Sequence, residues 1–241
     1  MCFRTLGPTK SCSAPLVLIG QVGKNRKFYP PLFIQLPRPD IAYAVGVVSR
    51  FCEAPRVSHW RAVKRILRYL NSTVGLKLKL GGKTEPHLTM YVDADYGGDL
   101  ETRRSTSGFV VKLGEAPIVW RSIRQHVVAQ STTEAEFVAA CTGLKEVIWI
   151  GSLMRELRID CKHSVIFIDN QGALKLLQNP VVHQKTKHID IKYKFIRELV
   201  ARERIELRYV RTAEQEADFL TKVLPTKKFI ELRVRCGLVQ L

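Results

Sequence analysis

A chain of 241 residues, 46% of them apolar, is long enough to bury one full core and is not the composition of a disordered chain. Thirty-nine Lys and Arg against 22 Asp and Glu give a formal charge of +17, which points to a polyanionic partner, nucleic acid ahead of an anionic membrane surface. No apolar stretch reads as long enough to span a bilayer and the N-terminus lacks a secretory apolar core, so the expectation is an intracellular protein, cytoplasmic or nuclear, with no membrane role.

Residues 1–37 mix Pro, Gly and basic residues around one short apolar run, Leu16-Val17-Leu18-Ile19, and promise little autonomous structure. From Pro39 a helical pattern begins, Pro55 breaks it, and a second helix from Ser58 to Leu70 follows. Its apolar residues Trp60, Val63, Ile66, Leu67 and Leu70 share one face, and Arg61, Lys64, Arg65 and Arg68 lie largely on the other. That basic face reads equally well as a phosphate-backbone track or as a solvated face. After Gly81-Gly82 the pattern turns to short strands, Leu88 to Val92, Gly108 to Leu113 and Ile118 to Trp120, as in an antiparallel meander. A long helix from about Thr133 to Leu157 comes next, with Val138, Val147, Ile148, Leu153, Met154 and Leu157 on its apolar side. The apolar run Val165 to Ile168 suits a strand buried on both faces. Helices at Gln171 to Gln178 and His188 to Arg202, a strand at Ile205 to Val210 and a last helix from about Ala213 to Lys222 complete the order βββαβααβα.

Four carboxylates stand out in this order. Asp93 ends the strand Met90-Tyr91-Val92, Glu136 lies in the long helix, Asp169 closes Val165 to Ile168, and Asp218 sits in the last predicted helix. Acids at the ends of buried strands are costly to desolvate, and a divalent metal is their natural partner. Blander readings exist for each. Asp93, Asp95 and Asp99 could share a solvated turn, with Asp95 the alternative ligand. Glu134 competes with Glu136, which aligns better with the inward Ala140. Asp169 could be a helix cap and Asp218 a first-turn acid. The six cysteines, Cys2, Cys12, Cys52, Cys141, Cys161 and Cys236, have no CxxC pairing and read as reduced thiols. Cys161, His163, His183 and His188 fit no common zinc spacing. Trp120, Trp149 and Phe109 read as core residues rather than base-stacking ones.

The order of elements and acids resembles ribonuclease H, and most closely the RNase H domain of copia-type long-terminal-repeat retrotransposon Pol polyproteins. The resemblance is carried by Tyr91-Val92-Asp93-Ala94-Asp95-Tyr96-Gly97-Gly98-Asp99, Arg104-Ser105-Thr106-Ser107-Gly108-Phe109, Ser131 to Glu136, Asp169-Asn170-Gln171, Thr186-Lys187-His188-Ile189-Asp190 and Ala217-Asp218-Phe219-Leu220-Thr221-Lys222. Upstream, Arg38 to Val45 and His59 to Leu70 resemble the C-terminal end of the preceding reverse transcriptase, so the likeness covers roughly residues 38–241.

The resemblance implies an α/β fold, an RNase H-like mixed five-stranded sheet flanked by helices with a small helical N-terminal appendage. It divides the chain into a divergent segment 1–37, a reverse transcriptase remnant 38–82, the RNase H-like domain 83–224 and a C-terminal tail 225–241. The palm with its paired aspartates is missing and residues 1–37 do not match, which suggests a broken or spliced copy of an element. The implied activity is hydrolysis of the RNA strand of RNA–DNA hybrids with two Mg²⁺ ions about 4 Å apart, Mn²⁺ being a substitute. By motif position Asp93 would bridge both ions. Asp169 and Glu136 would hold the one nearer the leaving group, and Asp218 the one nearer the attacking water. Arg104, Ser105, Thr106, Ser107, Asn170, Gln171, Lys187 and His188 are the expected nucleic-acid contacts. Other parts of a Pol polyprotein are expected partners, and no small-molecule substrate is. The helper histidine that such enzymes often carry before the last acid is replaced here by Arg211-Thr212-Ala213-Glu214-Gln215. The rival readings are a catalytically silent nucleic-acid-binding relic and a strand transferase on the same fold.

Overall fold

The structure is a computed structural model and describes residues 38–82, 84–161, 163–178, 196, 198–203 and 205–240. Pro39 opens a 3-10 turn, Pro39–Ile41, that runs into α1 (Ala42–Ser49); the longer α2 (Val57–Ser72) and a short strand β1 (Leu76–Leu78) follow. Then come β2 (Leu88–Ala94), β3 (Thr106–Leu113), β4 (Ala116–Arg124), α3 (Thr132–Glu156), β5 (Ser164–Ile168) and α4 (Gln171–Gln178). Residues 196 and 198–202 are helical and precede β6 (Glu206–Tyr209). Two 3-10 turns, Thr212–Glu214 and Glu216–Leu220, lead to α5 (Thr226–Arg235) and β7 (Leu238–Gln240).

The five long strands form one mixed sheet in the order β4-β3-β2-β5-β6. β2, β3 and β4 are an antiparallel meander, while β5 lies parallel to β2 and β6 parallel to β5. This is the mixed five-stranded sheet flanked by helices that the resemblance implies, with helices on both faces. The parallel partner of β2 has to be reached by a crossover, and α3 supplies it. Ser131 starts that helix by accepting the Glu134 N–H at 3.1 Å, and Glu134 reaches back to the Gln130 N–H at 2.8 Å. One core layer lies between sheet and helices, joining Met90, Val92, Phe109, Ile166 and Ile168 to Phe137, Leu144, Val147, Ile150, Leu177 and Ile196. Gly143 permits the contact, since a Cβ there would lie 2.5 Å from Met90 Sδ.

By length and composition α3 could cross a membrane, contrary to the reading of the sequence, but half of its apolar window is buried in this core, as in the central helix of a folded domain. Leu157, expected on the apolar side of α3, is 58% exposed and Trp149, expected in the core, is 60% exposed. Both lie outside the sector that α3 turns to the sheet. Phe109 is fully buried, and Trp120 packs partly against the second core layer.

That second layer, on the opposite face, joins Ala42 of α1 to Val110, Phe219, Leu220, Leu232 and Cys236. Residues 38–82 and 225–240 are therefore both fastened to the domain. β1 and β7 pair antiparallel, and Asp40, 5% exposed, is held by Arg38 at 2.8 and 2.9 Å and by the Tyr69 hydroxyl at 2.5 Å. Arg233 of α5 donates to the same Tyr69 oxygen at 3.1 Å. Within the segment 225–241, expected as a tail, residues 225–240 contain a helix and a strand that close over the back of the sheet.

Candidate metal and nucleic-acid site

Register builds the site. In the parallel pair β2–β5, Val92 lies opposite Ile168, so the residues that follow them, Asp93 and Asp169, emerge side by side at the same end of the sheet. Asp218 comes from the 3-10 turn Glu216–Leu220, which packs on β3 and β2. Its approach needs Gly108, where a Cβ would lie 2.6 Å from Thr221 Cγ2 and 2.8 Å from Leu220 Cβ. Carboxylate oxygens of Asp93, Asp169 and Asp218 all lie within 4.8 Å of one another. Glu136, in the second turn of α3, is 6% exposed and lies beside Asp93 and Asp169.

The electrostatics are those of crowded acids in a poorly hydrated place. Burial first, then Asp93 and Asp169, push the Glu136 carboxyl well above its ordinary value. Burial and Asp93 raise Asp169, against the opposing pull of Thr212, Lys222 and Gln215. Asp218 is carried up to about 6 by burial and Asp93, against the pull of Lys222. Glu136 Oε2 and Asp169 Oδ1 are buried and have no hydrogen-bond partner among the described residues. Asp218 Oδ1 meets only the Lys222 ammonium, at 2.8 Å, and the same ammonium is 3.5 Å from Asp93 Oδ2. Burial would lower the Lys222 pKa, but Asp93, Asp218 and Asp169 outweigh it and raise it.

The competing acids separate cleanly. Asp95 Oδ1 accepts the Thr106 N–H at 2.7 Å and organises the β2–β3 loop. Asp99 is 7% exposed and pairs with Arg124 at 2.8 Å and Arg50 at 3.3 Å, which clamps α1 to the sheet. Those arginines and the N–H groups of Glu101 and Thr102 outweigh burial and hold its carboxyl well below the usual range. Glu134 is occupied with the start of α3. Of the four acids singled out by sequence, Asp93, Asp169 and Asp218 converge, and Glu136 is buried close enough to feel Asp93 and Asp169.

The expected nucleic-acid contacts divide. Ser105, Thr106 and Ser107 are at most 3% exposed, and their hydroxyls are engaged internally with Gly97 N–H, Arg50 and Gln125 respectively. They hold the loop and the start of β3 together, which corrects their reading as contact residues. The Arg104 side chain is half-buried. Asn170 caps α4 by accepting the Ala173 N–H at 2.9 Å, and Gln171 is exposed at its first residue. Lys187, His188 and the segment 1–37 lie outside the described residues.

Three residues of the site were not anticipated. Gln215, fully buried, donates to Val92 O at 2.8 Å, accepts the Ala217 N–H at 3.2 Å and helps to hold the Asp169 pKa down. By capturing that N–H and tying the chain to β2, it turns the predicted helix from Ala213 to Lys222 into two 3-10 turns. Thr221 donates its hydroxyl to Asp93, and Lys222 closes over the acids. Only Lys222 left a readable signal, its four-residue spacing from Asp218.

No family model matches the chain. It is 47% identical over 192 residues to the retrovirus-related Pol polyprotein from transposon TNT 1-94 of Nicotiana tabacum, covering 80% of this chain and 14% of that one. The corresponding polyprotein from transposon RE2 of Arabidopsis thaliana is 40% identical over 211 residues, or 86% of this chain and 14% of that one. A solved RNase H1, LC11, isolated from compost, superposes with a TM-score of 0.44 at 14% identity over 56% of this chain and 93% of its own. This chain therefore spans about 14% of the length of those two curated relatives. The sequence identity shows that the chain belongs to the copia-type retrotransposon Pol polyproteins.

Proposed function

We propose that this chain is an endoribonuclease that hydrolyses the RNA strand of RNA–DNA hybrids as part of a retrotransposon Pol polyprotein. The observation that carries the reading is the convergence of Asp93, Asp169 and Asp218 within 4.8 Å, with the buried Glu136 carboxyl beside Asp93 and Asp169. The residues fit a hard divalent cation. All the donors are carboxylate oxygens, and two of those buried oxygens lack any hydrogen-bond donor among the described residues. Asp93, Glu136, Asp169 and Asp218 would hold two Mg²⁺ ions, or Mn²⁺ in their place.

When bound, such a pair supplies an activated water and neutralises the departing 3′-oxygen. In the reaction, the water oxygen bonds to phosphorus and the P–O3′ bond breaks, leaving a 3′-hydroxyl and a 5′-phosphate. The chain's own side chains hold the acids ready. Thr221 orients Asp93 through its hydroxyl, and Gln215 ties the segment before Asp218 to β2 beside Asp93. Lys222 balances part of the negative charge. Arg104, Asn170 and Gln171 are the described candidates for contacts to the strand, and Lys187 and His188 are further ones. The test is a 5′-labelled RNA–DNA hybrid incubated with purified protein in Mg²⁺ or Mn²⁺ beside Asp169→Asn. Cutting of RNA by the wild type and loss of it in the variant support the nuclease. A folded protein that retains the hybrid and does not cut it is the silent relic.

A further inference from the structure

Away from the acids, α2 carries Arg61, Lys64, Arg65 and Arg68 at positions i, i+3, i+4 and i+7, which makes a single stripe. All four are exposed, and none has an acidic partner within ion-pair distance among the described residues. Unpaired cations elsewhere on the described surface, such as Lys77, Lys145, Arg158 and Lys227, are scattered one by one over different elements, whereas some surface arginines are paired. Arg121, Arg155, Arg208 and Arg235, equally surface cations, each pair with a glutamate within 3.2 Å. α2 contains no Asp or Glu at all, not even in its first turn, where the helix dipole favours one. Residues 61 and 64, 61 and 65, 64 and 68, and 65 and 68 are like-charged neighbours at the spacings where helix side chains repel. A face that is merely solvated gains nothing from that repulsion. An external polyanion removes it.

The opposite arc of α2, with Val63, Ile66, Leu67 and Leu70, is half-buried, and Tyr69 is tied to Asp40 and Arg233, so the helix is held with its cations outward. Trp60, 41% exposed, lies beneath the Lys64 ammonium at 5.7 Å and adds an aromatic edge to the stripe. At 1.5 Å per residue the stripe is about 10 Å long. One strand of a duplex presents a phosphate about every 3.4 Å of axis, so about three phosphates face it.

We infer that α2 is a second nucleic-acid-binding surface, a sequence-independent track for the sugar–phosphate backbone of a duplex, separate from the acidic cluster. Its binding does not require the cluster to cut. The probe is a fluorescein-labelled RNA–DNA hybrid, titrated with full-length protein in EDTA, so that cleavage plays no part. Two variants with the same charge loss are compared: Arg61→Gln/Lys64→Gln/Arg65→Gln/Arg68→Gln, and Lys77→Gln/Lys145→Gln/Arg158→Gln/Lys227→Gln, four exposed cations elsewhere. The stripe variant should bind at least about tenfold more weakly near 0.1 M salt. Its slope of log affinity against log salt should be shallower by roughly 3. The off-stripe variant should stay close to wild type. Equal losses in both variants, or no loss in the stripe variant, overturn the inference. So does a stripe variant that loses binding to phosphatidylserine vesicles while keeping the hybrid, which would make the partner a membrane. A circular dichroism melt of each variant checks that it is folded.

Discussion

Replacing Asp218 by Asn removes one charge from a crowded set of acids and keeps the side chain's shape. Burial and Asp93 carry the Asp218 carboxyl up to about 6, even with the Lys222 ammonium 2.8 Å away. That is roughly two pH units above an ordinary Asp, or about 3 kcal/mol for a site sealed from water. The cluster is open on the side of Lys222, which is 38% exposed, so screening reduces this to about 1–2 kcal/mol. The sign follows from the direction of the shift. A folded-state pKa above the unfolded one contributes stability below about pH 4, and that contribution is lost as pH rises through about 6. Raised Asp169 and Glu136 act in the same sense. In EDTA the wild type should therefore lose stability between pH 4 and 7, whereas Asp218→Asn should lose less and melt about 4 °C higher at pH 7.5. Mg²⁺ should raise the melting temperature of the wild type more than that of the variant. A variant that melts below wild type at pH 7.5 in EDTA would refute the reasoning, because the Lys222 pair would then outweigh desolvation and repulsion.

Gly108→Ala should destabilise by about 2–3 kcal/mol, read by denaturant unfolding, because its Cβ would meet Thr221 and Leu220 at under 3 Å. Gln125→Leu strands the Ala135 carbonyl and the Ser107 hydroxyl, both now bonded at 2.9 Å, and should cost about 1–3 kcal/mol in the same assay. Asp99→Ala leaves Arg50 and Arg124 without their shared carboxylate and should cost about 3 kcal/mol. Because the Asp99 pKa is lowered, its contribution is present above about pH 4 and fades below it, so the deficit of Asp99→Ala should shrink in acid melts. Gln215→Ala should lower kcat for hybrid cleavage with little change in KM, since Gln215 ties the Asp218 turn to Val92, next to Asp93, rather than touching the strand.

The site was legible where local pattern and strand polarity decide position. Asp93 and Asp169 each end an apolar run, and parallel pairing of those runs brings their ends together. Glu136 could be told from Glu134 because helix periodicity turns only one of them inward. What the sequence hid depends on contacts between distant segments. Ser105, Thr106 and Ser107 look like an exposed polar turn, but Arg50 and Gln125, from other elements, bury and bond them. Gln215 looks like a loop residue, and its tie to Val92, 123 positions away, converts a predicted helix into 3-10 turns. The strand β7 is too short to read from pattern and exists through its pairing with β1. Lys112 and Glu216 form a buried ion pair across the back of the sheet, and neither residue signals the other in sequence.

The central claim, that the four acids cut RNA in a hybrid, is tested most directly by labelling the RNA strand in one sample and the DNA strand in another. Both are incubated with wild-type protein in Mg²⁺. Short RNA products ending in 3′-hydroxyls are expected from the first sample and intact DNA from the second, with all cutting abolished by Asp93→Asn. Intact RNA in the presence of folded, hybrid-bound protein, or cutting that survives Asp93→Asn, would contradict that claim.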